Sequence, residues 1–86
     1  MTVDQMIPGK IYNCRSTRSN FTQLVRFLGG NRIDKNLDIA DPSKIKIRDD
    51  KFISIHSKWI IREANPWEIS LYTKIVDNKL SIYKLI

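Results

Sequence analysis

The side chains with most chemical potential in this 86-residue chain are cations. A polar run from Arg15 to Asn20 holds two arginines, Arg15 and Arg18, among four hydroxyl or amide side chains. Guanidinium groups among such donors can bracket phosphates, or they can grip carboxylates on a protein partner. A loop that is merely solvated has the same composition, so the run alone leaves both interpretations open.

A second group of cations alternates with isoleucines. Lys44, Lys46 and Arg48 flank Ile45 and Ile47, which is the pattern of a half-buried antiparallel strand with its cations on the outer face. The resulting stripe is about 13–14 Å long at roughly 3.4 Å per residue. It can follow a nucleic-acid backbone or an acidic groove, but it equally protects an edge strand from pairing with other chains.

Three further residues extend the predicted binding surface. Arg26 and Arg32 add cations near the first polar run, and Trp67 is a natural interface anchor if it is exposed at a helix start. No aromatic-rich strand motif of the RRM kind is present, so sequence-specific base stacking is not predicted. The predicted binding residues are Arg15, Arg18, Arg26, Arg32, Lys44, Lys46, Arg48 and Trp67.

Catalytic and metal-binding interpretations are weak. Cys14 and His56 are a conceivable nucleophile and base, but no Gly-rich oxyanion loop or orienting acid accompanies them at a recognisable spacing. A metal site usually needs three or more converging oxygen ligands, whereas aspartates in this kind of sequence are typical of turns. The candidate metal-binding acids are Asp38, Asp41, Asp49 and Asp50. We therefore expect a protein that is not an enzyme, binds no metal or cofactor, and has no small-molecule substrate.

The charge balance points to an anionic partner. Lys and Arg number 15 against nine Asp and Glu, a net charge of +6. Residues 1–35 hold six of these cations and two acids, a net +4, which can steer the protein toward a polyanion or an acidic surface. A hydrophobic fraction of 42% and the single cysteine predict one domain over residues 1–86, without a disulfide, in the cytoplasm. No apolar run approaches the roughly 18 residues of a membrane helix.

The remaining pattern predicts short strands and one late helix. Strands are expected over 10–14, 21–27, 44–48, 52–56 and 59–62, with a closing strand over 80–86, while the polar residues 31–43 can hold one short strand and a loop. Gly29-Gly30 predicts a hairpin. Asn65, Pro66 and Glu68 form a helix-start signal, and the apolar face of that helix is Ile69, Tyr72, Ile75 and Val76. The predicted fold is mainly β (α+β): a small, strongly curved antiparallel sheet or barrel of five to six strands with one C-terminal helix.

One segment resembles a known group of proteins. Residues 59–72, WIIREANPWEISLY, look like the tail of many small phage and prophage proteins, of which only 62–72 is at all specific. Residues 8–12 and 24–27 resemble the Gly-containing opening and the Phe-Val-Arg-Phe-like strand of the same group. The resemblance covers about half the chain and leaves out the basic loop. It implies an SH3-like barrel with a C-terminal helix, and genes of that neighbourhood often encode inhibitors of host defence, including anti-CRISPR proteins.

The expected function follows from the excess of basic residues and from the resemblance to small phage proteins. It is that of a phage-type accessory protein which binds a host defence protein or ribonucleoprotein through a basic face, in the cytoplasm of an infected or lysogenic bacterium. A Cas effector is one candidate partner, and RNA is another. The alternative is a non-specific RNA- or DNA-binding module, with no membrane partner in either case.

Overall fold

The computed structural model describes residues 1–54 and 58–78 as one antiparallel sheet with a helix on one face. The strands are β1 (Ile11–Ser16), β2 (Thr22–Gly29), β3 (Arg32–Asp38), β4 (Lys46–Arg48) and β5 (Trp59–Glu63). A 3-10 turn, Val3–Gln5, precedes them, and helix α1 (Pro66–Tyr72) follows and continues as a π-helical turn, Thr73–Asp77. The strand order is β4-β3-β2-β1-β5.

The predicted mainly β fold with one C-terminal helix is confirmed. Of the two architectures that the sequence left open, the described residues adopt the open sheet, with β4 and β5 at its edges. In the described part, the strand expected over 52–56 is reduced to a single bridge between Phe52 and Arg32. Two main-chain hydrogen bonds flank it, from the Ile33 N–H to Lys51 O (2.9 Å) and from the Ile53 N–H to Asn31 O (2.8 Å). The rest of that prediction, including His56, and the strand expected over 80–86 lie outside the described residues.

The β2–β3 hairpin turns at two glycines and has an irregular register. Gly29 and Gly30 have φ angles of +110° and +64°, a region that L side chains rarely adopt, so the turn depends on this Gly-Gly pair. Register shifts interrupt the β2–β3 ladder on both sides of Phe27. Irregularities of this kind bend and twist a strand pair.

Both faces of the sheet are covered. Alternate residues of β2 enter different cores: Val25 and Phe27 point to one face and Leu24 to the other. The turn face, covered by the N-terminal turn, buries Met6, Tyr12, Cys14, Val25, Phe27, Ile33, Ile53 and Ile61. The helix face buries Leu24, Leu37, Tyr72, Ile75 and Val76 beneath α1 and the π-helical turn. The helix face predicted from sequence is confirmed in Tyr72, Ile75 and Val76, whereas Ile69 is 42% exposed.

Glu68 fastens the start of α1 to the sheet. Its carboxylate, on a residue only 4% exposed, accepts hydrogen bonds from Asn13 Nδ2 (2.8 Å) and from two nitrogens of Arg62 (2.7 and 2.9 Å). It also accepts from the Asn65 N–H (3.0 Å), and Asn65 accepts from the Glu68 N–H (2.8 Å). Burial alone would raise the pKa of Glu68, but the bonds from Arg62, Asn65 and Asn13 outweigh it and lower that pKa.

The helical segments within residues 1–54 and 58–78 fall short of the length and apolar character needed to cross a membrane.

Candidate binding surface

Five cations lie at one end of the sheet, where the strand register directs Arg15 toward the helix face and Lys46 toward the turn face. The antiparallel order places the end of β1, the start of β2, the end of β3 and the starts of β4 and β5 together. Five strands span roughly 19 Å at about 4.8 Å per strand. We call the five cations of this region the basic end: Arg15, Arg18, Lys44, Lys46 and Lys58.

The basic end is not neutralised from within the protein. All five side chains are exposed, and none has a carboxylate oxygen within 4.0 Å among residues 1–54 and 58–78. Two acids share this end of the sheet, Asp38 and Asp41, so its local charge is +3. A surface whose cations lack internal partners keeps them available to an external anion.

The hydroxyl groups in and next to the β1–β2 loop form hydrogen bonds with main-chain groups of the protein. The Ser16 Oγ accepts from the Arg18 N–H (3.1 Å), and the Ser19 Oγ accepts from the Phe21 N–H (3.2 Å). The Thr17 N–H and Oγ1 both donate to the Lys58 carbonyl oxygen (3.3 and 3.1 Å), which joins this loop to the start of β5. The hydroxyl groups therefore fix the shape of the loop, and the exposed Arg18 lies in it, three residues after Arg15 of β1.

The cationic stripe of β4 alternates as the sequence predicts, but its last member is engaged. Lys46 and Arg48 are exposed while Ile47 is half-buried. The Arg48 guanidinium lies 5.3 Å from the Phe21 ring centroid, and its Nε donates to Asp50 (3.3 Å). Lys46 thus belongs to the basic end, whereas Arg48 also holds the segment after β4 in place.

Arg26 is committed to the fold. Its guanidinium donates to both carboxylate oxygens of Asp77 (3.1 and 2.7 Å) and to Asp34 (3.4 Å). It also lies over the Tyr72 ring, 5.1 Å from the centroid, and the Tyr72 hydroxyl donates to the Lys35 carbonyl oxygen. The side-chain hydrogen bonds from Arg26 lower the pKa of Asp77. These contacts fasten the π-helical turn to β2 and β3.

Two other predicted residues lie apart from the basic end. Arg32 is exposed at the start of β3, at the opposite end of the sheet. Trp67, the second residue of α1, is 66% exposed, as an interface anchor requires.

The residues considered for catalysis or metal binding have other surroundings. Cys14 is fully buried, and burial raises the pKa of its thiol to about 12, so the thiol stays protonated at neutral pH. Asp49 pairs with Lys35 (3.7 Å) and Asp50 with Arg48 (3.3 Å). Residues 1–54 and 58–78 hold no group of three or more His, Cys, Asp or Glu side chains that suits a metal ion.

Lys58 was not predicted from sequence. Its signal was its position directly before a predicted strand, because strand ends on one side of an antiparallel sheet come together.

A comparison of the chain with protein-family models, curated proteins and solved structures finds no match. What the protein binds is therefore inferred from its own geometry.

Proposed function

We propose that this is a small accessory protein that acts by binding, and that the basic end is its contact surface for an anionic site on a host nucleoprotein. The observation that carries the proposal is the gathering of five exposed, internally unpaired cations at one end of the sheet. The resemblance of residues 59–72 to small phage proteins supports an inhibitor of host defence, of the anti-CRISPR kind, acting in the bacterial cytoplasm.

The shape of the basic end favours an extended anion. Cations spread over roughly 19 Å exceed what one carboxylate can satisfy, but they match a row of phosphates or a patch of acidic side chains. Adjacent strands are about 4.8 Å apart, which is less than the Debye length of about 10 Å at 0.1 M salt, so the fields of cations on adjacent strands add. Such a field speeds encounter with an oppositely charged partner.

The mechanism needs no chemical step. A rigid sheet that places cations against a nucleoprotein can occupy the path meant for nucleic acid, or it can clamp RNA on its carrier protein. Either action depends on position and charge, and the loop contact between Thr17 and Lys58 holds two parts of the basic end in a fixed relation.

The test is inhibition of a purified, guide-RNA-loaded CRISPR effector by the wild-type protein and two double variants. Arg15→Glu with Arg18→Glu reverses part of the basic end. Lys51→Glu with Lys74→Glu is the matched control, because both residues are exposed, lie elsewhere, and have no ion pair among the described residues. Both variants change the net charge equally.

We expect the first double variant to lose inhibition at least about tenfold and the control to keep it. Parallel titration of labelled RNA and DNA, in low and high salt, distinguishes direct nucleic-acid binding from nucleoprotein binding. Binding of free nucleic acid with no inhibition of the effector would favour the non-specific module instead. Equal behaviour of the two double variants in every assay would refute a role for the basic end.

A further inference from the structure

The outer edge of β5 is an open row of main-chain hydrogen-bonding groups. The Ala64 N–H donates to Ile11 O (3.0 Å), and the Thr17 N–H donates to Lys58 O (3.3 Å), so even-numbered residues of this segment face β1. Antiparallel alternation then directs the N–H and C=O groups of Trp59, Ile61 and Glu63 away from β1. No strand pairs with that edge among residues 1–54 and 58–78.

A cavity lies beside this edge. It measures about 460 Å³ and opens between the N-terminal segment and β5. Val3, Trp59 and Ile61 give it an apolar wall, while Asp4 and Lys58 stand in its lining. Trp59 and Ile61 point to the turn face, since each pairs with a β1 residue of that face. A strand added to β5 would therefore direct alternate side chains into the cavity.

β5 is less protected against pairing than the opposite edge of the sheet, although it carries Arg62 and Glu63 at one end. The opposite edge strand, β4, is only three residues long and carries cations at both ends, and short, charged edges resist pairing. β5 has five residues, no proline, and an apolar stretch from Trp59 to Ile61, of which Ile60 is 47% exposed. An apolar edge of this kind is a ready template for another strand.

We propose that β5 takes an extended acidic–apolar peptide segment of a partner protein as a sixth strand. Main-chain bonds to Trp59, Ile61 and Glu63 would supply affinity, and the cavity would select apolar side chains at alternate positions. Acidic residues of the peptide complement Lys58, which has no ion pair among the described residues.

Charge argues against a second copy of this chain as the occupant. Each copy carries a net +6, and pairing β5 with itself would bring Lys58 and Arg62 of both copies to one seam. Like charges on adjoining strands destabilise the pairing. The proposal does not depend on the basic end, although Lys58 belongs to both surfaces.

The test uses the full chain and a synthetic octapeptide of alternating Glu and Val, followed by residue-resolved amide hydrogen exchange. At about 1 mM peptide, which half-saturates a site with a millimolar Kd, the amides of Trp59, Ile61 and Glu63 should exchange about twofold more slowly, and about tenfold more slowly if the Kd is about 0.1 mM. The amides of Ile60 and Arg62, which already face β1, should change little. Protection confined to alternate residues is specific to strand addition.

Two controls sharpen the experiment. A peptide N-methylated at the amides that face β5 should give no protection, whereas methylation of the other amides should leave it intact, because only one edge pairs. Lys58→Glu should weaken binding several-fold and Lys74→Glu should not.

The proposal is overturned by absent or uniform protection at that peptide concentration. It is also overturned if the alternate amides are already protected without peptide. Protection that rises with protein concentration would then identify a second copy as the occupant, and concentration-independent protection would identify another part of the same chain.

Discussion

Removing the Glu68 carboxylate should detach the start of α1 from the sheet. In Glu68→Ala, Asn13 Nδ2 loses its acceptor (2.8 Å) in a residue that is 7% exposed, a loss that costs about 1–3 kcal/mol. The bond that the Asn65 N–H donates to the Glu68 carboxylate (3.0 Å) is also lost and contributes up to about 1 kcal/mol more, whereas the main-chain N–H of residue 68 still donates to the Asn65 side chain. Arg62 keeps a half-exposed side chain and regains water, so its lost ion pair adds at most about 1 kcal/mol.

These terms give a loss of about 3 kcal/mol in the free energy of unfolding. For a chain of this size each kcal/mol lowers the Tm by roughly 4–8 °C, so the expected fall is about 12–24 °C. Thermal unfolding followed by circular dichroism measures it, with a urea titration for the free energy.

Glu63→Ala is the matched control. Glu63 lies one residue from Arg62 and pairs with Lys10 (2.6 Å), but both side chains of that pair are about half exposed. Surface ion pairs of this kind contribute little, so the Tm of this variant should stay close to that of the wild type. If Glu68→Ala falls no further than Glu63→Ala, the buried carboxylate does not hold the helix.

Two further predictions concern titration and the thiol. The pKa values of Glu68 and Asp77 are lowered in the folded protein, so the stability that these carboxylates contribute is present above the unfolded carboxyl pKa and is lost as pH falls through the folded pKa. Glu68→Gln should therefore make the Tm fall less steeply at acid pH. An unchanged acid limb of the Tm-against-pH curve would contradict this. Cys14 should react with a thiol reagent in the native protein far more slowly than in urea, because it is fully buried with its pKa raised to about 12. Cys14→Ser should lower stability by about 1–3 kcal/mol in a urea titration, since it buries a hydroxyl group, and rapid native labelling would show the burial to be incomplete.

Local signals were predictable from the sequence and long-range partners were not. The start of α1 was predictable because its capping residue Asn65 and the first helical residue Pro66 are adjacent in the sequence. The alternation around Ile47 correctly predicted β4. Arg26 reads as a surface cation, because nothing local indicates the pairing with Asp77, 51 residues away. Its predicted part in binding stays a prediction.

The candidate site was partly predictable for the same reason. Arg15 and Arg18 are three residues apart at the end of β1 and in the loop after it, and Lys44 and Lys46 are two residues apart, so the proximity within each pair is local. Their meeting with Lys58 depends on strand order β4-β3-β2-β1-β5, which the alternation of single strands does not specify. The open edge of β5 depends on strand order as well, since any strand can be an edge until its neighbours are known.

Because β2 contributes side chains to both cores, its pairing register is strongly specified during folding. Because successive side chains of a strand point to opposite faces, a shift by one residue would move Val25 and Phe27 out of the turn face and Leu24 out of the helix face together. Arg26 would then point into an apolar core, away from Asp77. A hairpin in the wrong register therefore loses apolar burial on both faces of the sheet at once. Since β2 contributes to both small cores, we expect them to form and unfold together as one cooperative unit.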